Sequence, residues 1–161
     1  MVHIKKLKII MISIILAVIA LIPNNVLADG PSYDITNYDM DAYIQEDGTI
    51  HIDESITYYF SSSANGLTRD LRYFYKTNKD SMEPNSARYQ ATGIENITVA
   101  VTNPANITTN FTKASNAEKG DNGVYTVDAV NADRTDGYDI MVYSPISSNN
   151  FQTVHYSYDI T

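Results

Sequence analysis

The sequence predicts an all-β fold: an antiparallel β-sandwich of about seven to eight short strands, preceded by an N-terminal hydrophobic signal helix. Three observations carry this reading. Apolar and polar residues alternate with a period of two on both sides of an Asp-Gly turn, the pattern of a half-buried hairpin. Further alternating runs follow at roughly 8–12-residue spacing, separated by clusters of Gly, Pro, Asn and Ser. Between residues 29 and 161 there is no helical apolar stripe of roughly ten or more residues.

An antiparallel hairpin is expected over residues 36–60: in its first strand Tyr38, Met40, Ala42 and Ile44 alternate with Asp39, Asp41 and Tyr43, and Glu46-Asp47-Gly48 makes the turn. The second covers Ile50–Phe60. Ile50, Ile52, Ile56, Tyr58 and Phe60 share one face, and Ile50, Ile52, Ile56 and Tyr58 are expected to point into the core. Glu54 falls on that apolar side, as a bulge position, an edge position or a ligand; the first two are the ordinary readings. Ser61–Gly66 reads as a small-residue loop, and Leu67–Tyr75 places Arg69 and Arg72 among apolar and aromatic residues. Lys76–Ala87, with Pro84, reads as a long polar loop. Arg88–Val101 contains a strand in which Ile97, Val99 and Val101 alternate, ended by Pro104. Ile107–Phe111 is a short strand, Ala114–Gly123 is turn-rich, Val124–Val130 is a strand and Asn131–Gly137 a loop. Tyr138–Tyr143 and Phe151–Ile160 are the last strands, separated by Pro145 and Ser147-Ser148-Asn149-Asn150; Phe151–Ile160 is expected at a sheet edge or as the last-added strand.

Ahead of this domain, Lys5, Lys6 and Lys8 precede an apolar run from Ile9 to Ile22 broken only by Ser13, and Val26-Leu27-Ala28 offers a small-residue cleavage site. The run has 14 residues, short of the about 20 that a spanning helix needs. The expected organisation is a signal peptide over 1–28 and an extracytoplasmic β domain over 29–161, with a retained anchor as the other reading of the leader. Against 19 Asp and Glu the chain has 11 Lys and Arg, a net charge of −8; the leader removes three Lys and no acid, so the remainder carries −11. Such a surface repels phosphate backbones, which excludes nucleic acid as a partner. With no Cys in the chain, disulfides, thiol nucleophiles and thiolate–metal sites are excluded. The 13 Tyr read as strand residues standing in for scarcer aliphatic ones.

The search for chemistry yields no catalytic, cofactor-binding or metal site and no cofactor. His51 and His155 are the two His outside the leader; each sits in a strand pattern and reads as a solvated or hydrogen-bonded side chain. The stretch Asp133-Arg134-Thr135-Asp136-Gly137-Tyr138-Asp139 has spaced oxygens and a Gly, as a calcium loop would, but the twelfth position, where a bidentate Glu belongs, is Ser144. It reads as a solvated turn. Arg69 and Arg72, with Asp70 beside them, either clamp an anionic partner or pair internally; internal pairing is the favoured reading.

The segment Asp39–Phe60 resembles the opening of a bacterial family of predicted membrane proteins, domain of unknown function 2207. In that family a strand, an acidic-Gly turn and a V-x-E-x-x-x-Y-x-F strand open the domain; here Ile52–Phe60 has Glu54, Tyr58 and Phe60 in register. Gly66-Leu67-Thr68-Arg69 is similar to the family's Gly-hydrophobic-x-Arg step, and Tyr156-Ser157-Tyr158 to its Y-x-Y strand. The resemblance covers about residues 32–161. It implies an export signal and an extracytoplasmic β domain, followed in the family by transmembrane helices. This chain ends at Thr161 before such a helix, which reads as truncation or as an absent anchor. The resemblance implies a location and an architecture, and no reaction. Two functional classes follow: an exported, non-catalytic surface or membrane-associated β module, with an unspecified protein or cell-wall partner, or an envelope polysaccharide hydrolase using paired carboxylates such as Glu54 with an Asp.

Overall fold

The structure is a computed structural model, described over residues 31–75, 91–132 and 135–161. The signal-peptide segment, the Lys76–Ala87 loop, and Asp133 and Arg134 lie outside the described residues. Nine strands run through the rest: β1 (Tyr33–Ile44), β2 (Ile50–Phe60), β3 (Ala64–Tyr75), β4 (Ile94–Thr102), β5 (Thr108–Asn110), β6 (Thr112–Lys113), β7 (Val124–Ala132), β8 (Thr135–Ile146) and β9 (Asn150–Ile160). They form a five-stranded sheet of order β1-β2-β9-β4-β5 and a four-stranded sheet of order β3-β8-β7-β6. All pairings are antiparallel except the two-residue β6, which runs parallel to β7. The expected sandwich is thus observed, with seven long strands and two stubs.

The predicted hairpin forms with its turn as read. Gly48 takes φ +91°, the Gly48 N–H donates to the Gln45 carbonyl and the Thr49 N–H to the Asp47 carboxylate. β2 then buries Ile52, Ile56, Tyr58 and Phe60 against Leu67, Ile140, Val142, Val154 and Tyr156; Ile50 is only partly buried. Full burial of one such side chain contributes about 1.5–3 kcal/mol, so this alternating face is a substantial part of the drive for the two layers to close.

Four expectations need correction. The loop read over Ser61–Gly66 gives way to strand at Ala64, because Gly66 brings β3 so near β8 that a Cβ there would sit 1.9 Å from the Val142 carbonyl oxygen. The loop read over Asn131–Gly137 is mostly strand, with β7 and β8 in unbroken register from Val124↔Tyr143 to Ala132↔Thr135. β9 is no edge strand: it lies in the middle of its sheet, paired with β2 along its whole length and with β4 on the other side. Finally, β1 begins at Tyr33 and is exposed at every one of its 12 residues, although its apolar alternation matches that of a half-buried strand.

Candidate functional site

Glu54 stands on the core face of β2, opposite Tyr156 of β9 and Met40 of β1, and its side chain is 2% exposed. A lone carboxylate there would be expelled or neutralised. Arg69, on the facing sheet's β3, answers it: Nε donates to Oε2 at 3.1 Å and Nη2 to Oε1 at 3.0 Å, a bidentate fork. The Tyr158 hydroxyl donates to Oε1 at 2.7 Å. Burial opposes the charge on Arg69, but the hydrogen bonds and charge of Glu54 outweigh it and raise its pKa further. Burial, then the bond to Glu54, pushes the Tyr158 hydroxyl up strongly; burial pushes Tyr58 up to about 12. Glu54 is therefore neither bulge, edge nor free ligand, but one half of an ion pair that pins the two sheets together.

Arg72 also pairs internally. It donates to the Asp139 carboxylate and the Tyr138 carbonyl and lies 3.7 Å from Asp70. Asp70 and Asp139 face each other across β3 and β8, a like-charge pair that needs this guanidinium between them. Asp136 and Asp139 of the calcium-like stretch lie within β8, a strand and not a ligand loop. Among the described residues no group of three or more His, Asp or Glu is placed to hold a metal ion.

The outer face of the five-stranded sheet carries the two His, on neighbouring strands. His51 Nδ1 meets Asp159 Oδ1 at 2.7 Å, and its Nε2 lies 3.3 Å from Ser157 Oγ and 3.5 Å from Asp53. His155 Nδ1 meets Ser55 Oγ at 2.7 Å and its Nε2 meets Thr102 Oγ1 at 2.8 Å. The bond to Asp159 raises the His51 pKa, while burial lowers that of His155. Asp159, holding Asn96 and His51, is lowered. A cavity of about 530 Å³ lies on the other, inner side of these strands, lined by Glu54, Val99, Phe111, Tyr125 and Tyr156 together with neighbouring residues of β2, β4 and β9.

Ser157, His51 and Asp159 thus follow the atom order of a nucleophilic triad, a grouping that sequence reading missed. The signal was β2–β9 pairing, which places Asp159 opposite His51 and Ser157 one step away, and nothing local announces it. Ser157, however, stands in mid-strand, paired with Asp53 on one side and Thr98 on the other. It is not at a turn that frees backbone N–H groups for an oxyanion, and Asp53 competes for His51 Nε2.

These features define the class: a two-sheet, all-β domain pinned by a buried Glu–Arg–Tyr cluster. The chain belongs to the family described as the N-terminal domain of predicted membrane protein (DUF2207), whose profile matches residues 34–161. No curated protein and no solved structure matches the chain. Three residues that carried the resemblance, Glu54, Arg69 and Tyr158, prove to be the members of the buried cluster; the motif is a signature of packing.

Proposed function

We propose that this domain is the exported, extracytoplasmic part of a larger membrane protein and that it acts by binding, without turning over a substrate. Membership of a predicted membrane protein family supports the membrane association, and the basic-apolar leader supports export. The observation that carries the non-catalytic reading is the engagement of Glu54. The carboxylate best placed by sequence to serve a polysaccharide hydrolase has both oxygens held by Arg69 and Tyr158, whereas a glycosidase needs two carboxyl groups about 5–10 Å apart and open to the sugar.

The test is a screen of the purified chain for turnover of peptidoglycan and wall glycans. No turnover is expected. Turnover abolished by His51→Gln or Ser157→Ala, with melting unchanged, would overturn the reading. Export is checked by N-terminal sequencing of secreted material, where Asp29 is the expected first residue.

A further inference from the structure

Among the described residues β1 is the outermost strand of its sheet, so one row of its backbone N–H and C=O groups faces no neighbouring described strand. Its register with β2 sets Tyr33, Ile35, Tyr38, Met40, Ala42 and Ile44 opposite the core-facing residues of β2. They continue the core's inner face beyond the reach of the four-stranded sheet, and Ile35, Met40 and Ile44 remain 58%, 52% and 81% exposed. A bulge at Thr36 keeps this row on one face, since without it Ile35 and Tyr38 would point oppositely.

Soluble proteins blunt long edges with Lys, Pro or bulges. The other long edge, β3, has Arg69, Arg72 and two register shifts. β1 and β2 contain no Lys, Arg or Pro, and register from Asn37 to Ile44 is unbroken. What β1 does have is acid: Asp34, Asp39 and Asp41 on the outer face, with Asp41 directly opposite Asp53. Asp41 has no hydrogen bond or ion pair among the described residues. Asp70 and Asp139, the equivalent pair on the other sheet, are bridged by Arg72. Among the described residues no Lys or Arg bridges Asp41 and Asp53; His51 Nε2, 3.5 Å from Asp53, is the basic group paired with that carboxylate.

We infer that β1 takes an extended segment of another protein as an added strand, one in which apolar residues alternate with Lys or Arg. Its apolar side chains extend the inner row, and its cations lie over Asp39, Asp41 and Asp53. This rests on the binding reading above and specifies its partner. A second copy of this chain is disfavoured by the same acids, because β1 against β1 stacks Asp39 and Asp41 of both copies on one face.

The test uses the full chain and three peptides of about twelve residues: Val and Lys alternating, Val and Glu alternating, and a Val block followed by a Lys block. Affinity is read by fluorescence anisotropy, and location by hydrogen exchange of β1 amides. The alternating Val/Lys peptide is expected to bind about tenfold or more tighter than either control, to slow exchange in β1 and to weaken with salt. Asp39→Lys/Asp41→Lys, both exposed, should transfer the preference to the Val/Glu peptide. Equal binding of the two cationic peptides, protection outside β1, dimerisation of the free chain through β1, or slow exchange without peptide of the β1 amides that point away from β2 would each overturn the inference. Wall-polymer turnover would instead end the non-catalytic reading and leave the strand-addition result standing.

Discussion

Glu54 shows how a single buried charge commits its neighbours. Glu54→Gln leaves the Arg69 guanidinium facing a neutral amide between two sheets. A loss of about 3 kcal/mol is expected in urea melts, the low end for a broken buried pair because Arg69 keeps 29% of its side chain in water. Replacing all three partners, Glu54→Met/Arg69→Met/Tyr158→Phe, should return stability to within about 1 kcal/mol of the parent, since nothing polar is then stranded. The two Tyr of the Tyr156-Ser157-Tyr158 motif should separate cleanly. Tyr158→Phe removes a bond to a carboxylate and should cost about 1.5–3 kcal/mol. Tyr156, 1% exposed, has no partner for its hydroxyl among the described residues, so Tyr156→Phe should be neutral or stabilising by about 1 kcal/mol. The His pair gives opposite pH signs. His51 has a raised folded pKa, so its contribution is complete below about 6.5 and fades as pH rises through the folded value. His155 has a lowered one, so it destabilises as pH falls below about 6.5. Melting curves between pH 5 and 8 should therefore show His51→Gln losing stability relative to the parent at the acid end, and His155→Gln gaining it there.

At the scale of elements, period and turn chemistry made most strands legible, and their failures have distinct physical causes. β2 was readable because Ile52, Ile56 and Tyr58 keep strict period two and are all buried. Ile52→Asp on that face, 5% exposed, should abolish the cooperative thermal transition, because it buries a carboxylate among apolar core side chains. β1 begins at Tyr33, ahead of the expected start at residue 36, because the bulge at Thr36 breaks the alternation that reveals a strand. Its exposure was invisible for another reason: alternation reports which side chains share a face, not whether a second sheet covers it. The starts of β3 and β8 were hidden by Gly66 and Gly137, which read as loop residues but here permit close strand approach. The Glu54–Arg69–Tyr158 cluster was half legible. Each residue was noticed separately, and internal pairing of the Arg was the favoured reading, but the contacts join positions 15 and 104 residues apart.

For the whole molecule, the sheet order outweighs any one contact. β2 and β4 do not pair with each other; each pairs with β9. Removing residues 150–161 therefore strips both of a neighbour and opens the core at Val154 and Tyr156, each 1% exposed or less. A chain ending at Asn149 should show no cooperative melt by circular dichroism and should bind a hydrophobic dye.

The central place of β9 also acts as a clock. A nascent chain presents β1 to β8 first, and none of that material can join β2 to β4, because the strand between them is the last of the nine to be made. Long-range pairings such as Ile50↔Ile160 place the domain among slow, high-contact-order folders. The five-stranded sheet thus locks only once residues 150–160 have been made, a delay written into the strand order itself.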